Sequence, residues 1–260
     1  MRKSKGIVSK RHETILKLLH ENKKIYINEL AKTLSVSPVT IRRDLDLFEK
    51  NGLIQKFYGG AKLIDGKLGD DPSLSDDSQK YAPRKHAIAK YAASFIEDGD
   101  IIFINSGSTS LLLLKYIKDI HVTIITNNGK ALTIDKDPKI QLILTGGEVI
   151  SRKHSIVGDF AIQFLSKITA DKCFLSVSGI NAESGISTSV FQETAINEIM
   201  LKRCNNSTFI LTDSSKLGKE HNFLSGSIDY VDYVITDNNA NNDEVNLLKE
   251  KGIKVITVDY

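Results

Sequence analysis

Apolar residues recur along this chain with two different periods, and the change from one to the other divides it. Up to residue 64 the helical spacing dominates. Ile15, Leu18 and Leu19 share one face of a helix that Ser9 is placed to cap, and Leu30, Ala31 and Leu34 share a face of a short helix opened by Asn28. Residues 25–27 form a brief extended run between them. Ser35 and Val36 make a tight turn. Ser37 followed by Pro38 is a helix start, because the hydroxyl accepts from a first-turn amide and Pro occupies a position whose N–H would be unpaired anyway. This third helix runs to Asn51 and Gly52, where Gly supplies the stop. Residues 53–57 and 61–64 read as strands around Tyr58, Gly59 and Gly60, a hairpin or wing. Helix, helix, turn, helix, wing predicts a winged helix-turn-helix over 1–64.

Residues 65–83 are rich in Gly, Ser, Asp and Pro without apolar periodicity, which predicts a linker. Beyond it, residues 84–97 are helical in pattern, with Ile88, Tyr91, Ala92, Phe95 and Ile96 on one side. Short β-branched runs follow at 101–104, 122–125, 141–144, 173–177, 209–211, 233–235 and 254–258. Helical segments separate many of them, as a parallel sheet covered on both faces requires. The fold class expected is α/β: a winged helix-turn-helix, then a doubly wound, mainly parallel sheet domain over 84–260. No internal repeat is visible.

Charge sharpens the division. The net charge is +3, but residues 1–62 carry 14 Lys or Arg against 6 Asp or Glu, and the remainder 21 against 26. A basic head on a mildly acidic body suits a head that meets a polyanion. The apolar run at 111–114 is broken by Lys115, far short of the roughly 20 residues a membrane span needs. Residues 1–10 are basic but lack the apolar stretch of a secretory signal. A cytoplasmic protein with no membrane partner is expected. Cys173 and Cys204 lie far apart without a CxxC or a nearby His at ligand spacing, so reduced thiols are expected, with no metal and no cofactor.

On a helical wheel, Leu45 and Phe48 fall within about 40° of Ile41 and form a buried stripe, while Arg43 falls about 200° away. Val39 and Thr40 lie beside Arg43, and Arg42 lies on the flank. An apolar rear with donors and small apolar groups in front is what a recognition helix needs: Arg bonds guanine bidentately, and Val or Thr touches a thymine methyl. Ser37 and the first-turn amides suit a phosphate. Lys56, Tyr58 and Gly59, in the wing, complete the expected contacts to double-stranded DNA. Asp44, at about 300°, is expected to pair inside the head. A basic face that is merely solvated would not require the turn, the Pro38 start and the wing together.

Arg11, Ile15 and Leu19, followed by Ser37, Pro38, Val39, Thr40, Ile41, Arg42, Arg43, Asp44 and Leu45, resemble the N-terminal signature of the DeoR family of bacterial sugar-metabolism regulators. Phe57, Tyr58, Gly59, Gly60 and Ala61 resemble that family's wing, which more usually has His at the place of Tyr58.

In the body, polar residues follow successive strands: Asn105, Ser106, Gly107, Ser108 and Thr109; Thr126, Asn127 and Asn128; Thr145, Gly146 and Gly147; Ser178, Gly179, Ile180 and Asn181; Asp213, Ser214, Ser215 and Lys216. Ligands of open α/β sheets sit beyond the carboxyl ends of strands. Amides and hydroxyls there suit a phosphate and a polyol; residues 106–109 lead into a helix able to hold an anion, and Lys216 adds a cation. Each such loop alone is commonplace, since Gly and Ser end strands everywhere. These blocks also resemble the DeoR-family sensor domain, which is similar to ribose-5-phosphate isomerase. The resemblance implies a regulator, by family tendency a repressor, that responds to a phosphorylated sugar or related metabolite. Many members have Asp at the place of Asn105.

A sugar-phosphate isomerase with a DNA-binding head is the rival reading. It needs a base and an enediolate-stabilising partner, for which Asp213, Glu193 and Lys216 are the candidates. Asn105 cannot act as a base, Asp213 equally caps a turn, Glu193 falls in a helical pattern over 190–204 where a solvated role is commoner, and no His lies in the five loops. No catalytic residue is therefore assigned. A nucleoid-type DNA protein would leave the body unexplained. Paired half-sites on DNA favour a homo-oligomer.

Overall fold

Along the central strands of the body, alternate residues enter two different cores, and this alternation decides the architecture. The computed structural model describes residues 11, 14–15, 18–19, 24–50, 54–63, 81–151 and 153–260. Ser9, Gly52, Ile64 and most of the linker expected at 65–83 lie outside them. The chain divides into two units, Met1–Asp71 and Pro72–Tyr260.

In the first unit Arg11, Ile15, Leu18 and Leu19 are helical. Then come β1 (Lys24–Tyr26), α1 (Ile27–Thr33), α2 (Pro38–Lys50), β2 (Ile54–Phe57) and β3 (Gly60–Leu63), with the strands in the antiparallel order β1-β3-β2. Ile15, Leu19, Leu30, Ile41, Leu45, Phe48 and Ile54 form its core. Asn28 does not cap α1: the helix begins one residue earlier, and the Ile27 amide donates to the Gly59 carbonyl at 2.9 Å. The turn of the wing thus satisfies one of the first-turn donors that have no partner within the helix. Ser37 does cap α2, its Oγ accepting from the Thr40 amide at 3.2 Å. The wing turns through Tyr58 and Gly59, and Gly60 already belongs to β3. A Cβ at Gly60 would stand 2.3 Å from the Ile25 carbonyl oxygen, so only glycine lets β1 and β3 close.

The second unit opens with α3 (Ala82–Ala93), so Ala82 and Pro83 are helical rather than linker, and Pro takes a first-turn position. The order continues β4 (Ile101–Ile104), α4 (Ser108–Leu111), α5 (Leu113–Tyr116), β5 (Val122–Thr126), β6 (Ile140–Leu144), β7 (Glu148–Ile150), β8 (Ser155–Val157), α6 (Asp159–Ser166) and β9 (Ala170–Ser176). It ends with β10 (Gly179–Asn181), β11 (Gly185–Thr188), α7 (Thr194–Lys202), β12 (Cys204–Leu211), β13 (Phe223–Gly226), β14 (Tyr233–Asp237), α8 (Asn242–Glu250) and β15 (Lys254–Val258). Seven strands form a parallel sheet in the order β15-β14-β12-β9-β4-β5-β6. Phe103, Cys173, Leu175 and Ile210 pack on one face with α6, α7 and α8 residues such as Leu165, Met200 and Leu248. Ile102, Ile104, Phe174, Phe209 and Leu211 pack on the other with Ile88, Ala92 and Leu114. The doubly wound expectation holds. Two additions escaped the periodicity: a β7–β8 hairpin, and a small antiparallel sheet in the order β10-β11-β13.

Phe209 links strands across the second core, stacked on Phe174 at 4.7 Å and on Tyr233 at 4.6 Å between ring centroids. Phe209→Ala is expected to cost the second unit about 3–5 kcal/mol, read from its urea transition, with the unfolding of the first unit unmoved.

Candidate functional site

The sheet order steps outward in opposite directions from one pair of neighbours: β4, β5, β6 one way and β9, β12, β14, β15 the other. Connections leaving the carboxyl ends of β4 and β9 therefore depart to opposite sides and open a crevice there. Asn105 follows β4 and Ser176 ends β9. The Asn105 Nδ2 donates to the Ser176 carbonyl (2.8 Å) and to Asn197 Oδ1 (3.0 Å). Its Oδ1 accepts from the Ser176 amide (2.9 Å), the Ser110 hydroxyl (3.0 Å) and the Gly107 amide (3.2 Å). The Asn105 side chain is a tie between strand ends, and its donors and acceptor are all engaged within the fold. Gly107 presses on the same point: a Cβ there would lie 2.1 Å from Ser176 Cβ.

Around the tie the loops hold one another. Ser106 donates its hydroxyl to Glu193 Oε1 and Thr188 donates to Oε2, each at 3.1 Å, with Lys153 Nζ 3.8 Å from Oε2. Glu193 was expected on a solvated helical face. It is buried instead, because residues 191–193 form a 3-10 turn before α7 that directs the carboxylate inward. Ser108 and Thr109 open α4, with Thr109 buried. Thr126 Oγ1 accepts from the Asn128 amide (3.1 Å), and Asn128 Oδ1 accepts from the Lys130 amide (3.1 Å). Asn127 Nδ2 donates to the Ile156 carbonyl at 3.0 Å. Gly146 and Gly147 take φ values of +70° and +125°; a Cβ at Gly147 would meet the Val157 carbonyl oxygen at 2.4 Å, so glycine lets the β7–β8 hairpin fold back on the loop. Asn127 Oδ1, Thr145 Oγ1 and Ser155 Oγ are buried with no hydrogen-bond partner among the described residues.

On the other side, the Ser178 amide donates to the Ser187 carbonyl at 3.1 Å, and Gly179 lies against the Lys219 backbone. Asp213 is buried and caps the following turn, accepting from the Ser215 amide at 3.1 Å, with Lys216 Nζ 3.8 Å away. The His221 amide donates to Ser187 Oγ at 2.9 Å. Its imidazole donates to the Ser178 carbonyl, yet burial, reinforced by Lys216, Lys219 and Lys153, pushes it below the ordinary histidine range. Lys153, Ser187, Thr188, Asn197, Lys219 and His221 carried no signal in the sequence as members of this cluster, since short strands and turns bring them in.

In the first unit Ile41, Leu45 and Phe48 are buried, while Ser37, Val39, Arg42 and Arg43 are exposed and Thr40 is half-buried. Asp44 pairs with Arg11 (Nε to Oδ2, 2.6 Å), as expected. Lys56 is engaged: its ammonium pairs with Asp46 and with Glu49 (3.1 Å), and its amide donates to Glu49 Oε1 (3.0 Å). Those bonds clamp the wing to α2, raising the Lys56 pKa and lowering that of Glu49. Tyr58 and Gly59 are exposed at the tip, above a cleft of about 720 Å³ that Arg42 and Lys56 also line.

The Asn105–Asn197 contact yields a test. Asn105→Asp removes both donors and turns a carboxylate oxygen toward two acceptors, which is expected to cost about 1–3 kcal/mol at neutral pH. The buried carboxyl takes a raised pKa, so urea unfolding should show the loss easing as pH falls through it. Adding Asn197→Lys should restore stability by supplying a cation.

Residues 11–67 match the DeoR-like helix-turn-helix domain, and residues 80–238 match the DeoR C terminal sensor domain. The HTH-type transcriptional regulator GolR of Listeria innocua is 32% identical over 247 residues, covering 94% of this chain and 96% of that protein. The lactose phosphotransferase system repressor of Staphylococcus epidermidis is 31% identical over 232 residues, covering 88% and 92%. Among solved structures, the full-length sorbitol operon regulator SorC from Klebsiella pneumoniae aligns with a TM-score of 0.38 at 13% identity, covering 91% of this chain and 97% of that one. Among the described residues no helix is long and apolar enough to cross a membrane. With its helix-turn-helix and sensor domains both matched, this chain belongs to the DeoR family of DNA-binding transcriptional regulators.

Proposed function

We propose that the protein represses genes for the uptake or breakdown of a sugar, and that a phosphorylated sugar or related metabolite sets its hold on operator DNA. The observation that carries the reading is the β4–β9 switch point, with Ser106, Thr126, Asn127, Asn128, Ser178 and Lys216 at the strand ends and in the loops that follow them on the carboxyl side of the sheet. Buried polar atoms cost free energy when unpaired, so the open acceptor at Asn127 and the unpartnered hydroxyls of Thr145 and Ser155 favour a polar occupant nearby. Asp213 and Glu193 are engaged in internal bonds, which supports binding without turnover. Relatives include a lactose phosphotransferase system repressor and a putative aga operon transcriptional repressor. A homo-oligomer is part of the proposal, because one recognition helix reads only one half-site.

On the DNA, Arg43, Val39 and Thr40 are assigned to base edges, and Ser37, Arg42, Tyr58 and Gly59 to flanking contacts. Lys56 takes a positioning role, since α2 carboxylates already hold its ammonium.

Two measurements test this. Arg43→Ala should cost roughly 1–3 kcal/mol on the specific operator and relax base preference at one position per half-site, read by competition binding. Unchanged affinity and preference would reverse the assigned face. A thermal-shift panel of sugar phosphates should find one that stabilises the protein and alters operator binding, its unphosphorylated parent acting far more weakly. A panel that alters neither would remove the sugar-phosphate reading.

A further inference from the structure

Beside the crevice, three lysines and a histidine converge from segments distant in sequence. Lys153 stands between β7 and β8, its Nζ 3.8 Å from Glu193 Oε2. Glu193 is bonded by Thr188, and the adjacent Ser187 accepts the His221 amide. The His221 imidazole, bonded to the Ser178 carbonyl, faces the charges of Lys216, Lys219 and Lys153. Lys219 is held there by Gly179, where any Cβ would stand 2.4 Å from the Lys219 carbonyl oxygen. Two buried carboxylates oppose this cluster, Glu193 and Asp213, the latter 3.8 Å from Lys216. Glu244, whose carboxylate lies against Gly218, adds a third carboxylate beside the cluster, so lysines and carboxylates balance and a proton on His221 tips the charge positive.

At the turn 106–109 part of the donor set is already in use. The Gly107 amide already donates to Asn105, the Ser110 amide donates to Ser176 Oγ, and the Ser106 hydroxyl points at Glu193.

We infer that the phosphate of the ligand sits among Lys153, Lys216, Lys219 and His221, and that its polyol extends toward Ser106 and Asn127. This rests on the proposed sensing of a phosphorylated metabolite and adds where the charge is held. The pairs at 3.8 Å to Glu193 and Asp213 are longer than direct charge-assisted bonds, so Lys153 and Lys216 can turn to a phosphate without leaving a tight partner.

Inorganic phosphate titrated into the full chain provides the test, with the His221 imidazole followed by NMR and affinity by calorimetry. Phosphate should raise the His221 pKa, because a nearby anion favours the charged ring. Lys219→Ala, at an exposed position, should weaken phosphate binding roughly five-fold, His221→Gln similarly, and Lys219→Glu more than either. Phosphate that leaves His221 unmoved, or binds Lys219→Glu and His221→Gln as tightly as the wild type, overturns the inference. If phosphate behaves as expected while no sugar phosphate alters operator binding, the sensing reading falls and the anion site stands.

Discussion

The tie that Asn105 makes between β4 and β9 is the constraint on which the rest of the C-terminal unit's site depends. Backbone ladders end where strands end, and at a switch point the two outgoing chains separate, so side chains must finish the closure. One amide does this with five bonds, two donated and three accepted. Because it is buried, each bond left unmade would carry the desolvation cost of its group. The consequences reach outward. Gly107 must be glycine to let Ser176 approach, Ser110 is drawn in as a partner, and Asn128 reaches back to the Gly107 carbonyl at 3.4 Å.

A second layer of buried charge sits beside that tie. Glu193 is nearly excluded from water, and its carboxylate is kept by two hydroxyls and a lysine rather than by one tight ion pair. Such a group is a poor base for turnover, because each oxygen is already an acceptor for an internal donor. It makes a good reference charge, against which a cation can be loosely held and an incoming anion placed at a distance. The head shows a parallel economy of charge. Asp44 takes Arg11, and Asp46 with Glu49 takes Lys56, so among the described residues Arg42 and Arg43 are the α2 cations left exposed outside these pairs, as the proposed DNA contact requires.

Much of this was legible from residue order. Ile41, Leu45 and Phe48 declared the buried stripe of α2, and Ser37 with Pro38 declared its start, because both rest on local geometry. The central strands were found because both faces are buried, so runs such as 101–104 are apolar throughout. What stayed hidden has a common cause. Strands β7, β8, β10, β11 and β13 are three or four residues long, and most mix Gly, Ser or Asn into the run, so no period can establish itself. Those same pieces deliver Lys153, Ser187, Thr188 and His221 to the crevice. Glu193 misled because the apolar spacing of 190–204 continues smoothly through a 3-10 turn that rotates it inward. Asn28 misled because a partner from the wing took the role of a cap.

Hydrogen exchange of the full chain, with and without the sugar phosphate that alters operator binding, tests the central claim most directly. Ligand at the switch point predicts slowed exchange in segments 105–110, 126–130, 153–157, 178–188 and 213–221, which are distant in sequence and joined only in the crevice. Protection confined to the separate groove of Ala87, Tyr91 and Val258, with those five segments unchanged, would contradict the account.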